Sequence, residues 1–312
     1  MKTIIIGAGS DLGVHIDGAN KGPNQLLKDI KSFYEGETIS LTQEENIIKS
    51  RNLADLRKNE LEIEKFNTNL YNIALEKHRN DYFPITIGGD HSIAVATALA
   101  NAKANSNIGI IWFDSHPDFN TFETTITGNI HGLPLAAITG YKNKDLTRYH
   151  DGNFVKIENA VIVGARSIDK DEKANLEDAG ITVFTTNDIK EQGIESILEK
   201  AFKIAGNRTN GIHISYDLDL IDPSEAPGVS VPEYDGITQE EAIKINKLIT
   251  EHIEEITSYD LVEFNPSRDI NRKTEQIAVN LLSQIITAAS KKSTYGKLNS
   301  KSIYVNDIKP KF

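Results

Sequence analysis

The 312-residue sequence contains no cysteine, which excludes disulfide bonds, thiolate metal sites and cysteine nucleophiles. Basic residues are scarce as well: 34 lysines and arginines stand against 45 aspartates and glutamates, a formal net charge of −11. Such an acidic chain argues against a nucleic-acid-binding surface. No apolar run approaches membrane-spanning length, and the apolar stretch within residues 1–7 is too short for a signal peptide. We therefore expect a cytoplasmic protein that binds neither nucleic acid nor a membrane.

The composition that is present indicates a folded α/β protein. Hydrophobic residues make up 39% and charged residues 25% of the chain, and short β-rich apolar segments alternate with segments of helical spacing. Strands are predicted at 1–7, 38–41, 84–87, 108–113, 159–166, 180–184, 211–216 and 259–264. Helices are predicted at 23–34, 61–77, 93–104, 189–205, 238–253 and 272–290, and residues 43–60 as loop with some helix. This alternation predicts a single doubly wound, mostly parallel sheet of about eight strands with helices on both faces. We assign residues 1–290 to one folded domain and the Lys-rich residues 291–312 to a C-terminal tail.

The segment 108–120 carries the clearest indication of a functional site in the sequence. Its apolar first half predicts a strand buried on both faces, and three potential metal ligands follow at alternate positions: Asp114, His116 and Asp118. Side chains two apart on extended backbone point to one side, and Pro117 disfavours helix for His116. These three side chains are therefore predicted to converge. The plain alternative is a polar strand-to-loop transition with a surface histidine.

Further polar side chains follow other predicted strands. His91 comes after the strand 84–87, and Asp217 and Asp219 come after the strand 211–216. The carboxyl ends of parallel strands share one sheet edge, where ligands of open α/β sheets gather. Two imidazoles and four carboxylates are enough for two divalent cations that share bridging carboxylates. An oxygen-rich set with some nitrogen and no sulfur suits manganese, then iron or cobalt, better than structural zinc.

A dinucleotide-binding site and a phosphatase site are two other interpretations of the sequence, and both have less support. Residues 7–9 read Gly-Ala-Gly, but the third glycine of a dinucleotide fingerprint is misplaced and a loop follows instead of a helix. A magnesium phosphatase site would explain the carboxylates, but the sequence contains no P-loop or other phosphate-binding segment.

The chain resembles the ureohydrolases, the family of arginase, agmatinase and formimidoylglutamase. The resemblance runs from residues 11–13 and 22–23 to residues 263–266, and three signatures occur in order at 88–92, 114–118 and 215–219. It implies an arginase-like fold and two Mn²⁺ ions per subunit. The implied ligands of one ion are His91, Asp114, Asp118 and Asp217. Those of the other are His116, Asp114, Asp217 and Asp219, so that Asp114 and Asp217 bridge the pair.

The resemblance also implies a reaction in which a metal-bridging hydroxide attacks the guanidinium carbon and releases urea and an amine. Asp118 is expected to orient the nucleophile and pass a proton. His131 matches the family's loop histidine, a proton shuttle to the leaving amine, and Glu263 matches the carboxylate that holds the guanidinium group. The family further implies a small-molecule guanidino substrate and a homo-oligomer, trimeric or hexameric.

The substrate is predicted from four positions. The segment 163–169 together with Glu172 resembles bacterial arginases, in which Asp169 would meet the α-ammonium of L-arginine, while Asn120 and Thr127 match positions that recognise its α-carboxylate. L-Ornithine and urea are then the expected products. Thr127 replaces the usual serine, and Val231 stands where arginases usually carry threonine, within a loop closer to formimidoylglutamase. Formimidoylglutamase and agmatinase remain alternatives, as does a binding or regulatory subunit that keeps the fold without turnover.

Overall fold

The computed structural model describes residues 1–292 apart from 46, 51 and 53. Within that part of the chain, eight strands form one sheet in which all neighbours are parallel. They are β1 (Lys2–Gly9), β2 (Glu37–Thr42), β3 (Tyr82–Gly88), β4 (Gly109–Phe113), β5 (Ala160–Ala165), β6 (Thr182–Thr185), β7 (Ile212–Asp217) and β8 (Ile256–Val262). Their order across the sheet is β2-β1-β3-β8-β7-β4-β5-β6.

Helices cover both faces of this sheet. In the described residues they are α1 (Gly22–Ile30), α2 (Glu60–Arg79), α3 (Ala94–Asn105), α4 (Pro134–Ile138), α5 (Lys170–Ala179), α6 (Thr186–Gln192), α7 (Ile194–Ala205), α8 (Gln239–Glu251) and α9 (Lys273–Lys291). Alternate strand residues enter two separate cores: Ile5 and Ile111 pack with α1 and α6–α9, whereas Ile4 and Ile110 pack with α2–α5. Both faces of the sheet are therefore buried, which explains the unbroken apolar strands.

The doubly wound sheet predicted from the sequence is confirmed, and every pairing proves to be parallel. The predicted helix 189–205 is wrong in its continuity, because Gly193 adopts a φ of 82° between α6 and α7. The described residues of 43–59 contain no helix, and α2 begins at Glu60. The predicted helix 238–253 is observed as α8, and Thr238 caps it by exchanging hydrogen bonds with Glu241. The predicted tail lies outside the described residues from position 293 onward.

The topology places four strand ends side by side. Strands β3, β8, β7 and β4 are consecutive in the sheet, and their carboxyl ends lead into residues 89–93, 263–265, 218–220 and 114–120 respectively. This is the edge at which the candidate site lies. None of the helices in the described part of the chain is both long and apolar enough to cross a membrane.

Candidate metal centre

The His91 half of the cluster is built around one ring nitrogen. His91 Nδ1 lies 3.0 Å from Asp114 Oδ2, 3.2 Å from Asp118 Oδ2 and 3.1 Å from Asp217 Oδ2. Although these oxygens are close, Nδ1 makes no well-aligned hydrogen bond to any described residue. Oxygen atoms that converge on a buried nitrogen without hydrogen-bonding it form the kind of donor set that a divalent cation occupies.

Two side chains fix the His91 ring from behind. Trp112, on β4, stacks on it with ring centroids 3.9 Å apart and planes at 7°, while Ser215 Oγ lies 2.8 Å from His91 Nε2. Trp112 Nε1 also donates to Asp114 Oδ2 at 3.0 Å. A ring held through its second nitrogen presents Nδ1 in one orientation, as metal-binding histidines require.

In the His116 half, two carboxylates lie near Nδ1 of the ring and a third lies near Nε2. His116 Nδ1 lies 3.0 Å from Asp219 Oδ2 and 3.5 Å from Asp114 Oδ1, and its Nε2 lies 3.7 Å from Glu233 Oε1. Ligand atoms of Asp114, His116 and Asp219 lie within 4.8 Å of one another, as do those of His91, Asp114 and Asp118. Asp114 therefore belongs to both groups. This arrangement fits two cations that share one carboxylate.

Asp217 is placed less symmetrically than predicted. Its Oδ2 faces His91, but its Oδ1 accepts the backbone N–H of Asp219 at 2.8 Å. Its role as a second bridge stays a prediction. Asp118 departs from the extended backbone predicted for its segment, since its φ is 51°, a conformation that aspartate tolerates better than most residues. With this backbone conformation, Asp118 Oδ2 lies beside His91 Nδ1.

The pKa values of the cluster's carboxylates are shifted in opposite directions: the contacts of Asp114 with His116 and His91 outweigh its burial and lower its pKa, whereas the pKa values of Asp118 and Asp217 are raised. Burial and the charge of Asp114 raise the pKa of Asp118 to about 6, and burial with the charges of Asp219 and Asp114 raises that of Asp217 well above its ordinary value. Burial disfavours the charged form of His91, but its three carboxylate contacts outweigh burial and raise its pKa. Bound cations would reverse this balance, because metal ligands must be deprotonated.

The partly buried His131 and the buried Glu263 form a pair beside the cluster. His131 Nδ1 lies 2.9 Å from Glu263 Oε1, which also accepts the backbone N–H of His91 at 2.9 Å. Glu263 Oε2 has no hydrogen-bond partner among the described residues. Burial opposes protonation of His131, but Glu263 outweighs it and raises the pKa of the imidazole. A histidine that can carry a proton and a carboxylate with a free oxygen thus meet at this edge of the sheet.

Hydrogen bonds link three of the four predicted substrate residues. Asn120 Nδ2 donates to Asp169 Oδ2 at 3.4 Å, and Asp169, the N-cap of α5, donates its backbone N–H to Glu172 Oε2 at 3.4 Å. Glu172 is buried, and burial raises its pKa to about 8. Thr127 makes a different contact: its Oγ1 accepts the backbone N–H of Asn129 at 3.2 Å.

Several residues of the site were not found from the sequence. They are Trp112, Ser115, Ser215 and Glu233. Trp112 and Ser215 precede Asp114 and Asp217 by two positions, so the strand period alone places them on the ligand side of the sheet. Glu233 lies on a loop, and no periodic signal identifies it.

Comparisons with known proteins agree with this geometry. A family model described as the Arginase family matches residues 1–288. The arginase of Bacillus caldovelox is 40% identical over 206 residues, covering 65% of this chain and 68% of its own length. That of Bacillus subtilis (strain 168) is 35% identical over 296 residues, covering 91% and 98%. The solved Bacillus caldovelox arginase superposes with a TM-score of 0.85 at 33% identity, covering 92% of this chain and 98% of its own. Formimidoylglutamase from Bacillus subtilis, with a TM-score of 0.74 at 19% identity over 94% and 88%, is similar in fold.

Proposed function

The chain belongs to the arginase family, and from that premise we propose that it is a manganese-dependent arginase that hydrolyses L-arginine to L-ornithine and urea. The observation that carries the proposal is the convergence of two histidines and four aspartates beside the His131–Glu263 pair. Such a donor set suits hard divalent cations, and the absence of cysteine removes the ligands that structural zinc favours.

The residues divide between two Mn²⁺ ions as the resemblance implies. The first ion is assigned to His91, Asp114, Asp118 and Asp217. The second is assigned to His116, Asp114, Asp217 and Asp219. Two such ions would supply a hydroxide nucleophile near neutral pH by lowering the pKa of a shared water.

The remaining roles fall to groups already placed beside the cluster. Glu263 holds the guanidinium group of the substrate with its unpaired oxygen, a charge-assisted contact. Asp118 orients the nucleophile and accepts its proton. His131 gives a proton to the nitrogen that leaves with ornithine as the carbon–nitrogen bond breaks; its raised pKa keeps it protonated in a larger fraction of molecules.

Substrate choice is assigned to the other end of the site. Asp169 faces the α-ammonium group of arginine, supported by Glu172 and Asn120. Asn120 and Thr127 recognise the α-carboxylate. We also propose that the protein is cytoplasmic and forms a trimer or hexamer.

The test is a side-by-side assay of the manganese-loaded protein with arginine, agmatine, guanidinobutyrate and formimidoylglutamate. We expect arginine to have the highest kcat/KM. A preference for formimidoylglutamate would mean that Val231 and its loop determine the substrate. A preference for agmatine would indicate an agmatinase. If no substrate is turned over although both ions are bound, the chain is a binding or regulatory subunit.

Replacing Asp169 tests the substrate assignment. Asp169→Ala should raise KM for arginine about tenfold or more, because a hydrogen bond to a charged group contributes about 1.5–3 kcal/mol. The preference for arginine over guanidinobutyrate, which lacks the ammonium group, should narrow, while manganese content stays the same. Asp171→Ala is the matched control, since Asp171 is exposed in the same first turn of α5. Equal kinetics in the two variants would leave Asp169 as a helix cap.

A further inference from the structure

We propose that Ser115 is a positioning residue for the second metal ion, acting by holding Asp219 in its ligand orientation. The inference rests on the metal pair of the proposed function and not on the identity of the substrate. Ser115 lies between two assigned ligands in the sequence, Asp114 and His116, and is itself fully buried.

Ser115 donates two hydrogen bonds to one oxygen of Asp219. Its Oγ donates to Asp219 Oδ1 at 2.7 Å, and its backbone N–H donates to the same oxygen at 3.1 Å. The other oxygen, Oδ2, is the one that faces His116 Nδ1. Both hydrogen bonds therefore fall on the oxygen that points away from His116, which leaves Oδ2 free to bind a cation.

The backbone of Ser115 is itself fixed by the neighbouring strand end. Its carbonyl accepts the backbone N–H groups of Arg166 at 2.8 Å and Ser167 at 3.0 Å, just beyond β5. A donor held in this way loses little further freedom when it orients a carboxylate. The hydroxyl is thus a preformed support for Asp219.

The hydroxyl has a second neighbour that allows the opposite effect. Ser115 Oγ lies 3.0 Å from His116 Nδ1, the nitrogen assigned to the cation. If the hydroxyl chiefly occupied that nitrogen, it would compete with the metal, and its removal would strengthen binding. A hydroxyl carries a single proton, and the shorter contact, to the carboxylate, is the one that uses it. The geometry therefore favours support of Asp219 over competition.

The experiment is a stepwise Mn²⁺ titration of the EDTA-stripped protein by calorimetry, combined with electron paramagnetic resonance at one and two ions per chain. We expect the parent to bind two ions. Ser115→Ala should bind the first with parental affinity and the second about 10–100-fold more weakly, the usual effect of losing a group that supports a metal ligand. Its spectrum at two equivalents should retain the signal of isolated and free Mn²⁺ where the parent shows a coupled pair.

Ser92→Ala is the matched control, because Ser92 is a buried serine next to His91 whose hydroxyl makes no hydrogen bond to described residues. It should bind both ions like the parent. Thermal unfolding in EDTA separates folding from binding: equal melting temperatures with a weakened second step support the proposal. If Ser115→Ala binds the second ion as tightly as the parent or more tightly, the role of Ser115 is overturned and the proposed metal pair stands. If the parent itself binds fewer than two ions, the proposed metal pair is overturned as well.

Discussion

The two histidines of the cluster leave the same sheet edge but sit in different surroundings. The His91 side chain is 1% exposed, stacked on Trp112 and hydrogen-bonded to Ser215. The His116 side chain is 22% exposed and has Glu233 at its outer nitrogen. The His91 half is supported by side chains of β4 and β7, whereas the His116 half depends more on the segments that follow the strands. Sites supported by strands are held more precisely than sites on loops. We therefore infer that the His91 half binds its ion more firmly.

The largest effect is expected at the carboxylate that both halves share. Asp114→Asn should lower activity by more than about 100-fold and weaken both ions, because losing an outer support alone costs about 10–100-fold and an amide is a poorer ligand than a carboxylate. Manganese per chain after dialysis is the measurement. Asp219→Asn, in the His116 half, should weaken only the second ion.

Retention of one firmly bound ion in Asp114→Asn would show that the two halves bind their ions independently and that Asp114 does not join them. Asp217→Asn serves as the companion variant. Loss of both ions would support the predicted bridge, while loss of the first alone would confine Asp217 to the His91 half, which its contact with His91 Nδ1 already favours.

A second prediction concerns the pH dependence of the metal-free protein. The folded-state pKa values of His91, His116, Asp118 and Asp217 are all raised, so between about pH 4 and pH 7 these four groups together hold more protons in the folded chain than in the unfolded one. Stability from these groups is fully present below their unfolded pKa values and is lost as pH rises through the folded ones. The melting temperature in EDTA should therefore fall as pH rises through this window.

The slope of melting temperature against pH tests the His91 half of the cluster in particular. Asp118 Oδ2 lies 3.2 Å from His91 Nδ1, and burial and the charge of Asp114 raise the pKa of Asp118 to about 6. Between pH 4 and 6, Asp118→Asn should reduce the difference in bound protons between the folded and unfolded chains by up to one. This corresponds to about 1.4 kcal/mol of unfolding free energy per pH unit, or a few °C in melting temperature. Added Mn²⁺ should stabilise the parent more at pH 7 than at pH 5, because its ligands must be deprotonated. A metal-free melting temperature that rises over this range would contradict the placement of unneutralised acids in the His91 half.

The same contrast explains what the sequence could predict. The strand ends and their ligands follow from apolar runs that stop at His91, Asp114 and Asp217, because parallel strands bring such residues to one edge. The division of contacts within the cluster depends on single side-chain torsions and on the φ of 51° at Asp118, which no periodicity records. Glu233 reaches His116 from a loop more than a hundred residues away. The strand-end ligands were therefore predictable in both halves, whereas the contacts that depend on one backbone turn or on a distant loop were not.

The smallest effect is expected at Glu233. Its replacement tests whether the exposed Glu233 carboxylate or the buried Ser115 hydroxyl sets the affinity of the His116 half for its ion. Glu233 Oε1 lies 3.7 Å from His116 Nε2 with 36% of its side chain exposed, so water and salt screen the contact. An exposed pair contributes about 0.2–1 kcal/mol, which predicts that Glu233→Gln weakens the second ion by no more than about fivefold. The difference from the parent should shrink further when the titration is repeated at high salt, and the first ion should be unaffected. If Glu233→Gln weakened the second ion more than Ser115→Ala, the exposed carboxylate and not the buried hydroxyl would orient this half, because a screened contact would then outweigh a 2.7 Å hydrogen bond inside the protein.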